Sequence, residues 1–150
     1  MTNMTEKQES RMWSLLTASI MQASIGTAKP EDIAKHADKI ESMIGAEKPE
    51  DRELKTWSLL VGSVMQLSIG RIKQEEVKEG DFFEAFTKLA KDVEAILRTG
   101  TEEEREIKKW SYFVGPMIQF CFGGSQCFET GSAGDYYDVA KFAQKYIGQD

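Results

Sequence analysis

Three stretches of this chain, at 13–26, 57–70 and 110–123, open on Trp-Ser and then run on without a single charged residue. Written out they are WSLLTASIMQASIG, WSLLVGSVMQLSIG and WSYFVGPMIQFCFG, a motif repeated in tandem. A helix that is apolar on most sides needs protein around it. The segments that follow are amphipathic instead. Ile33, Ala37, Ile40, Met43 and Ile44 share one helical face, as do Phe82, Phe86, Leu89, Ala90, Val93, Ile96 and Leu97. Tyr136, Val139, Ala140, Ala143, Tyr146 and Ile147 form the third such face.

Local signals place the ends. Thr5 with Gln8, and Thr101 with Glu104, have the spacing of capping boxes, and Lys-Pro-Glu-Asp occurs at both 29–32 and 48–51. Proline suits the first helical position, and acids suit the positive end of the helix dipole. Asp81 with Glu84 marks another start and Asp135 the last, while Gly26, Gly45, Gly70 and Gly100 supply stops. Pro116 falls inside the third Trp helix, where its ring removes a backbone bond and predicts a kink.

The pattern predicts an all-α fold. Six main helices form three tandem helix–turn–helix (αα-hairpin) repeats at 5–45, 49–100 and 101–148, within a single domain spanning 1–150. The second helices align on Ile33, Phe86 and Tyr136, and on Ala37, Ala90 and Ala140. Extra residues at 72–80 and 123–134 enlarge the joints of units two and three. Both a compact bundle and a short solenoid satisfy this pattern, with the three Trp helices inside and the amphipathic helices covering them.

Within the motif, Ser14 and Ala18, Ser58 and Gly62, and Ser111 and Gly115 are small residues four apart, which permit close helix approach. Trp13, Trp57 and Trp110 are expected as core anchors. Gln22, Gln66 and Gln119 fall inside the apolar blocks and are expected to hydrogen-bond across to neighbouring elements, because a buried amide without partners costs about 1–3 kcal/mol. Glu9, Glu53 and Glu106 recur four residues before each Trp, and Arg11, Lys55 and Lys108 two before it.

Composition narrows the function classes. At 150 residues with 41% hydrophobic and 29% charged positions, the chain can bury a real core. Its net charge of −6 works against passive attraction to nucleic acid or anionic lipid. The first residues lack the basic start and apolar run of a signal peptide, and no apolar run reaches bilayer length, so a cytoplasmic location is expected. Cys121 and Cys127 could bridge only in an oxidising compartment.

Chemistry-bearing residues are sparse. His36 is the single histidine and aligns with Leu89 and Val139, as a partly buried packing residue would. No zinc spacing, phosphate-binding loop, dinucleotide fingerprint or nucleophile elbow occurs, so no catalytic, metal or cofactor site is assigned. The acidic clusters at 50–53, 75–81 and 102–106 mostly mark helix starts. Lys88, Lys91 and Arg98 on the fourth helix read as solvated surface.

A non-enzymatic protein-binding module is therefore expected: a small acidic adaptor, inhibitor or regulator of the kind that suits a phage or other mobile element. Its candidate contact segments are the joints where the units differ most, at Arg71, Ile72, Lys73 and Glu76, and at Gly124, Gln126, Cys127, Phe128 and Glu129. Another protein is the expected partner, and a second copy of the chain is admissible. Single-stranded nucleic acid, stacked on an exposed Trp, is the alternative, and an enzyme of unknown class the third.

Overall fold

The computed structural model describes residues 4–25, 30–69, 82–121 and 135–149, apart from the side chains at 68–69, 82–83, 85, 118–119, 121 and 135–139. Among these residues the chain is all-α, with six helices and no strand. They are α1 (Glu6–Ile25), α2 (Pro30–Gly45), α3 (Pro49–Ile69), α4 (Phe82–Leu97), α5 (Glu102–Cys121) and α6 (Asp135–Ile147).

The ends are made as local chemistry dictates. At α1 the Thr5 N–H donates to Gln8 Oε1 at 3.0 Å and the Gln8 N–H to Thr5 Oγ1 at 3.2 Å. Thr101 and Glu104 repeat this reciprocal pair at α5, at 3.1 and 3.2 Å. Gly100 precedes that cap with a φ of 99°, a left-handed conformation that side-chain-bearing residues avoid. Between α2 and α3, Arg52 donates to the carbonyls of Glu47 and Gly45 at 3.1 and 3.3 Å, satisfying acceptors that the end of α2 leaves free.

Consecutive helices pack most extensively as α1 with α2, α3 with α4, and α5 with α6. The three Trp-bearing helices then lie side by side, because α1 and α5 both pack on α3 and touch each other at most marginally. One core cluster joins Ala18 and Met21 of α1, Ile40 and Ile44 of α2, Leu59 of α3, and Phe86 and Ala90 of α4. A second joins Trp57, Leu60, Val61 and Met65 to Val93 and Leu97 of α4, Tyr112 of α5 and Ala140 of α6.

This row corrects the expectation that all three Trp helices lie inside. Only α3 has a Trp helix on each side, so Leu59 to Met65 are buried throughout, whereas α1 exposes Met12, Leu15 and Leu16 and α5 exposes Trp110 and Phe120. A row of three has two ends. The expected buried face of α6 is corrected too: Ala140 and Ala143 are buried, but Tyr146 and Ile147 are exposed. The small alanines lie on the packed side of α6, whose main contact is with α5.

Polar groups inside the charge-free motif are largely satisfied within their own helices. Ser58, Ser63 and Ser111 each donate to the carbonyl four residues back at 2.7 Å, and Thr17 does so at 2.8 Å. Ser14 Oγ is the buried side-chain oxygen left without a partner among the described residues.

The small residues at the matched positions, Ala18, Gly62 and Gly115, are all buried. At Gly62 an added Cβ would lie 2.9 Å from the Ala90 backbone nitrogen and 3.1 Å from both the Ala90 Cα and the Phe86 carbonyl oxygen. These are backbone atoms of α4 and cannot swing aside. Gly62→Ala is therefore expected to push α4 off α3 and to lower stability by about 1–3 kcal/mol, read from urea unfolding. An unchanged unfolding midpoint would show that the helices are less tightly apposed than this.

Candidate functional site

The row of Trp helices brings their tryptophans together. The Trp13 and Trp57 rings have centroids 5.5 Å apart and are tilted by 45°, and Trp57 meets Trp110 edge-on at 4.9 Å and 71°. Phe113 adds a further edge contact to Trp57 at 6.4 Å and 88°. Such geometries favour aromatic attraction beyond simple burial. Exposure is lowest in the middle of the stack: Trp57 is 8% exposed, whereas Trp13 is half-buried and Trp110 is 45% exposed. Trp110 thus departs from the expected role of core anchor, because the row ends at α5.

Over this stack lies a mixed-charge clamp. Lys109 Nζ is 5.3 Å from the centroid of the Trp57 ring, 2.9 Å from Glu53 of α3 and 2.7 Å from Glu106 of its own helix. Burial, the largest single influence, pulls the Lys109 pKa down; hydrogen bonds to Glu106 and Glu53, with the charges of both carboxylates, outweigh it and hold the ammonium above its ordinary value. The residue therefore stays charged and ties α5 to α3 over an aromatic face. The recurring basic residue two before each Trp also clamps local structure. Arg11 is 3.7 Å from Glu41 and Lys55 is 4.0 Å from Glu47, while Lys108 donates to the Thr99 carbonyl at 3.0 Å.

A second polar contact links α1 to α2. The buried Gln22 amide donates from Nε2 to His36 Nδ1 at 2.6 Å, which requires the imidazole to carry its proton on Nε2. Desolvation by burial lowers the His36 pKa, with Asp32 pulling it up and Lys39 pushing it down. Gln66 of α3 is half-buried, and the Gln119 side chain lies outside the described residues.

The third feature is the outer surface of α6. Phe142 is 62% exposed and Tyr146 68% exposed, their rings paired at 6.4 Å, with Lys141 and Lys145 exposed beside them. The matched positions for Phe142 on α2 and α4 carry Lys39 and Asp92. An aromatic residue therefore stands where the other two units place a charge. Sequence alignment of the second helices contains that signal, though periodicity alone does not.

The candidate joint residues Arg71, Ile72, Lys73 and Glu76, and Gly124, Gln126, Cys127, Phe128 and Glu129, lie outside the described residues. So does the Cys121 side chain. Among the described residues no group of three or more His, Cys, Asp or Glu side chains gathers closely enough to hold a metal ion. No described helix is long and apolar enough to cross a membrane.

Fold and surface together define an all-α helical protein built around a tryptophan stack, with apolar side chains exposed at the ends of the row and on α6. No family model matches the chain, and neither any curated protein nor any solved structure matches it.

Two outcomes follow from these contacts. Trp57→Ala is expected to cost about 3–5 kcal/mol in urea unfolding, with Trp110→Ala costing less than half of that because its ring is already half in water. Equal costs would show that Trp110 is as enclosed as Trp57. For His36, the folded pKa lies below the unfolded value of about 6.5, so the unfolded chain takes up the proton first. Its stabilising contribution is present in full above that value and is lost as pH falls through it towards the folded pKa. The urea midpoint of the wild type should fall between about pH 7.5 and 5.5, and His36→Leu should flatten that slope while lowering the midpoint at the upper end, since Gln22 loses its imidazole partner. An identical slope in the variant would remove His36 as its source.

Proposed function

We propose that this chain is a non-enzymatic protein-binding module, a small acidic helical adaptor, inhibitor or regulator acting in the cytoplasm. The observation that carries this reading is the outer face of α6, where Phe142 and Tyr146 stand exposed as a pair with Lys141 and Lys145 beside them. Large exposed aromatics are expensive on a surface with no partner and are typical anchors of interfaces. The lysines suit a partner surface that carries acids around an apolar pocket. The joints at 71–76 and 124–129 remain proposed contact segments alongside this face.

Single-stranded nucleic acid is the second reading, and the same strip favours it, since lysines beside aromatics can take phosphates and stack bases. The net charge of −6 weighs against it.

The test compares wild type with Phe142→Glu and with a Phe142→Ala/Tyr146→Ala double variant. All three should keep helical circular dichroism and similar melting temperatures. Immobilised wild type should retain a stoichiometric protein from native extract, with retention reduced at least about tenfold in both variants, a loss of about 1.4 kcal/mol. Equal retention by all three would overturn the α6 assignment. A labelled single-stranded oligonucleotide that binds wild type at low salt, and releases as salt rises, would move the function to the second reading.

A further inference from the structure

His36 is the single histidine of the chain, and it meets α1 from α2. The matched positions of the other two units carry Leu89 and Val139. Unit one thus has a titratable group where the others have an apolar one. Its contact works in one protonation state. Gln22 is 4% exposed and donates from Nε2 to His36 Nδ1 at 2.6 Å, an atom that accepts only while it carries no proton. A proton on Nδ1 sets one N–H against another inside the helix contact.

The setting offers an imidazolium little in return. The helices that α2 packs against are α1 and α3, and they carry no charged residue over 13–25 and 56–69. Among the described residues, the charges that act on His36 belong to α2 itself. Asp32, four residues before, favours the imidazolium, and Lys39, three after, opposes it; burial is the largest influence and favours the neutral ring.

The two halves of α2 are held differently. Its buried residues, Ile40 and Ile44, are in the second half, where Glu41 also lies 3.7 Å from Arg11 of α1. The first half brings Ile33 and Ala37, which are only half-buried, and the Gln22–His36 bond. Because α2 rests mainly on α1 and lightly on α3, the α1 contact carries most of its attachment.

From this arrangement we propose that protonation of His36 breaks its bond with Gln22 and releases the first half of α2 from α1, while Ile40 and Ile44 keep the second half docked. The neutral ring holds the bond above about pH 6.5, and the bond is lost as pH falls through that value towards the folded pKa. Histidine is the side chain whose ordinary titration falls in this range, so the release is confined to unit one. It is a local opening, distinct from unfolding of the whole chain. The α6 face takes no part in it.

Nuclear magnetic resonance on the purified chain tests this. With one histidine, the ring resonance reports the titration of His36 alone, and amide exchange protection at 34–38 reports the release. The ring should titrate below about pH 6.5. Protection at 34–38 should fall at least about fivefold between about pH 7.5 and 5.5, the size of one lost buried hydrogen bond, while protection at 42–45 and 87–93 holds. His36→Leu, which takes the residue α4 has at the matched position, should keep its protection at both values. Gln22→Glu supplies a carboxylate that accepts from the imidazolium. It should raise the His36 titration above about pH 6.5 and make protection at 34–38 greatest in acid. Where that variant does not fold, His36→Leu decides. Unchanged protection in the wild type would overturn the proposal, because the Gln22 amide would then have turned over to offer Oε1. So would a ring that titrates at or above about pH 6.5, an equal fall in every helix, or the same fall in His36→Leu.

Discussion

A helix that carries no charge over 57–69 cannot be left in water on any side without exposing apolar surface, and α3 obeys that constraint because two other Trp helices and α4 enclose it. Everything else in the structure follows from how that enclosure is made. Gly62 lets the covering helix approach to backbone contact. Hydroxyls at Ser58 and Ser63 fold back on the carbonyls of their own helix, so these two buried groups need nothing from the neighbouring helices.

The tryptophan stack is the second consequence. Helices laid side by side in matching register bring equivalent residues into contact, and the equivalent residue at the head of each motif is a Trp. Its edge-on and tilted geometry suits the ring quadrupoles, and it leaves the Trp57 face open to Lys109. The lysine holds two carboxylates from adjacent helices, so one side chain serves both helix register and charge balance. Glu53 and Glu106 are exposed and screened, so this clamp adds modestly to what burial already secures.

Much of the fold was legible in the sequence because its signals are local. Capping boxes, Pro-Glu-Asp starts, glycine stops and the 3.6-residue stripe on each second helix all act within a few residues, and the helices form where those signals lie. What the sequence hid was the consequence of order in space. The motif is nearly identical in α1 and α3, so periodicity treats Leu15 and Leu59 alike, yet one lies at an end of the row and the other in its middle. The same limit applies to Ile147, which is exposed although its matched positions Ile44 and Leu97 on α2 and α4 are buried. The surface candidate on α6 was readable only by alignment of the units, where Phe142 replaces Lys39 and Asp92.

The repeated glutamates illustrate how one feature acts differently at the two contacts of the row. Four residues before each Trp, an acid lies in the more polar first half of its helix, where the positive end of the dipole favours it. Side by side, however, three such helices align three carboxylates. The α3–α5 contact neutralises its pair with Lys109, whereas the α1–α3 contact has Thr56 at that position and supplies no lysine there. The molecule therefore already contains one contact of this kind held by apolar packing without a clamp.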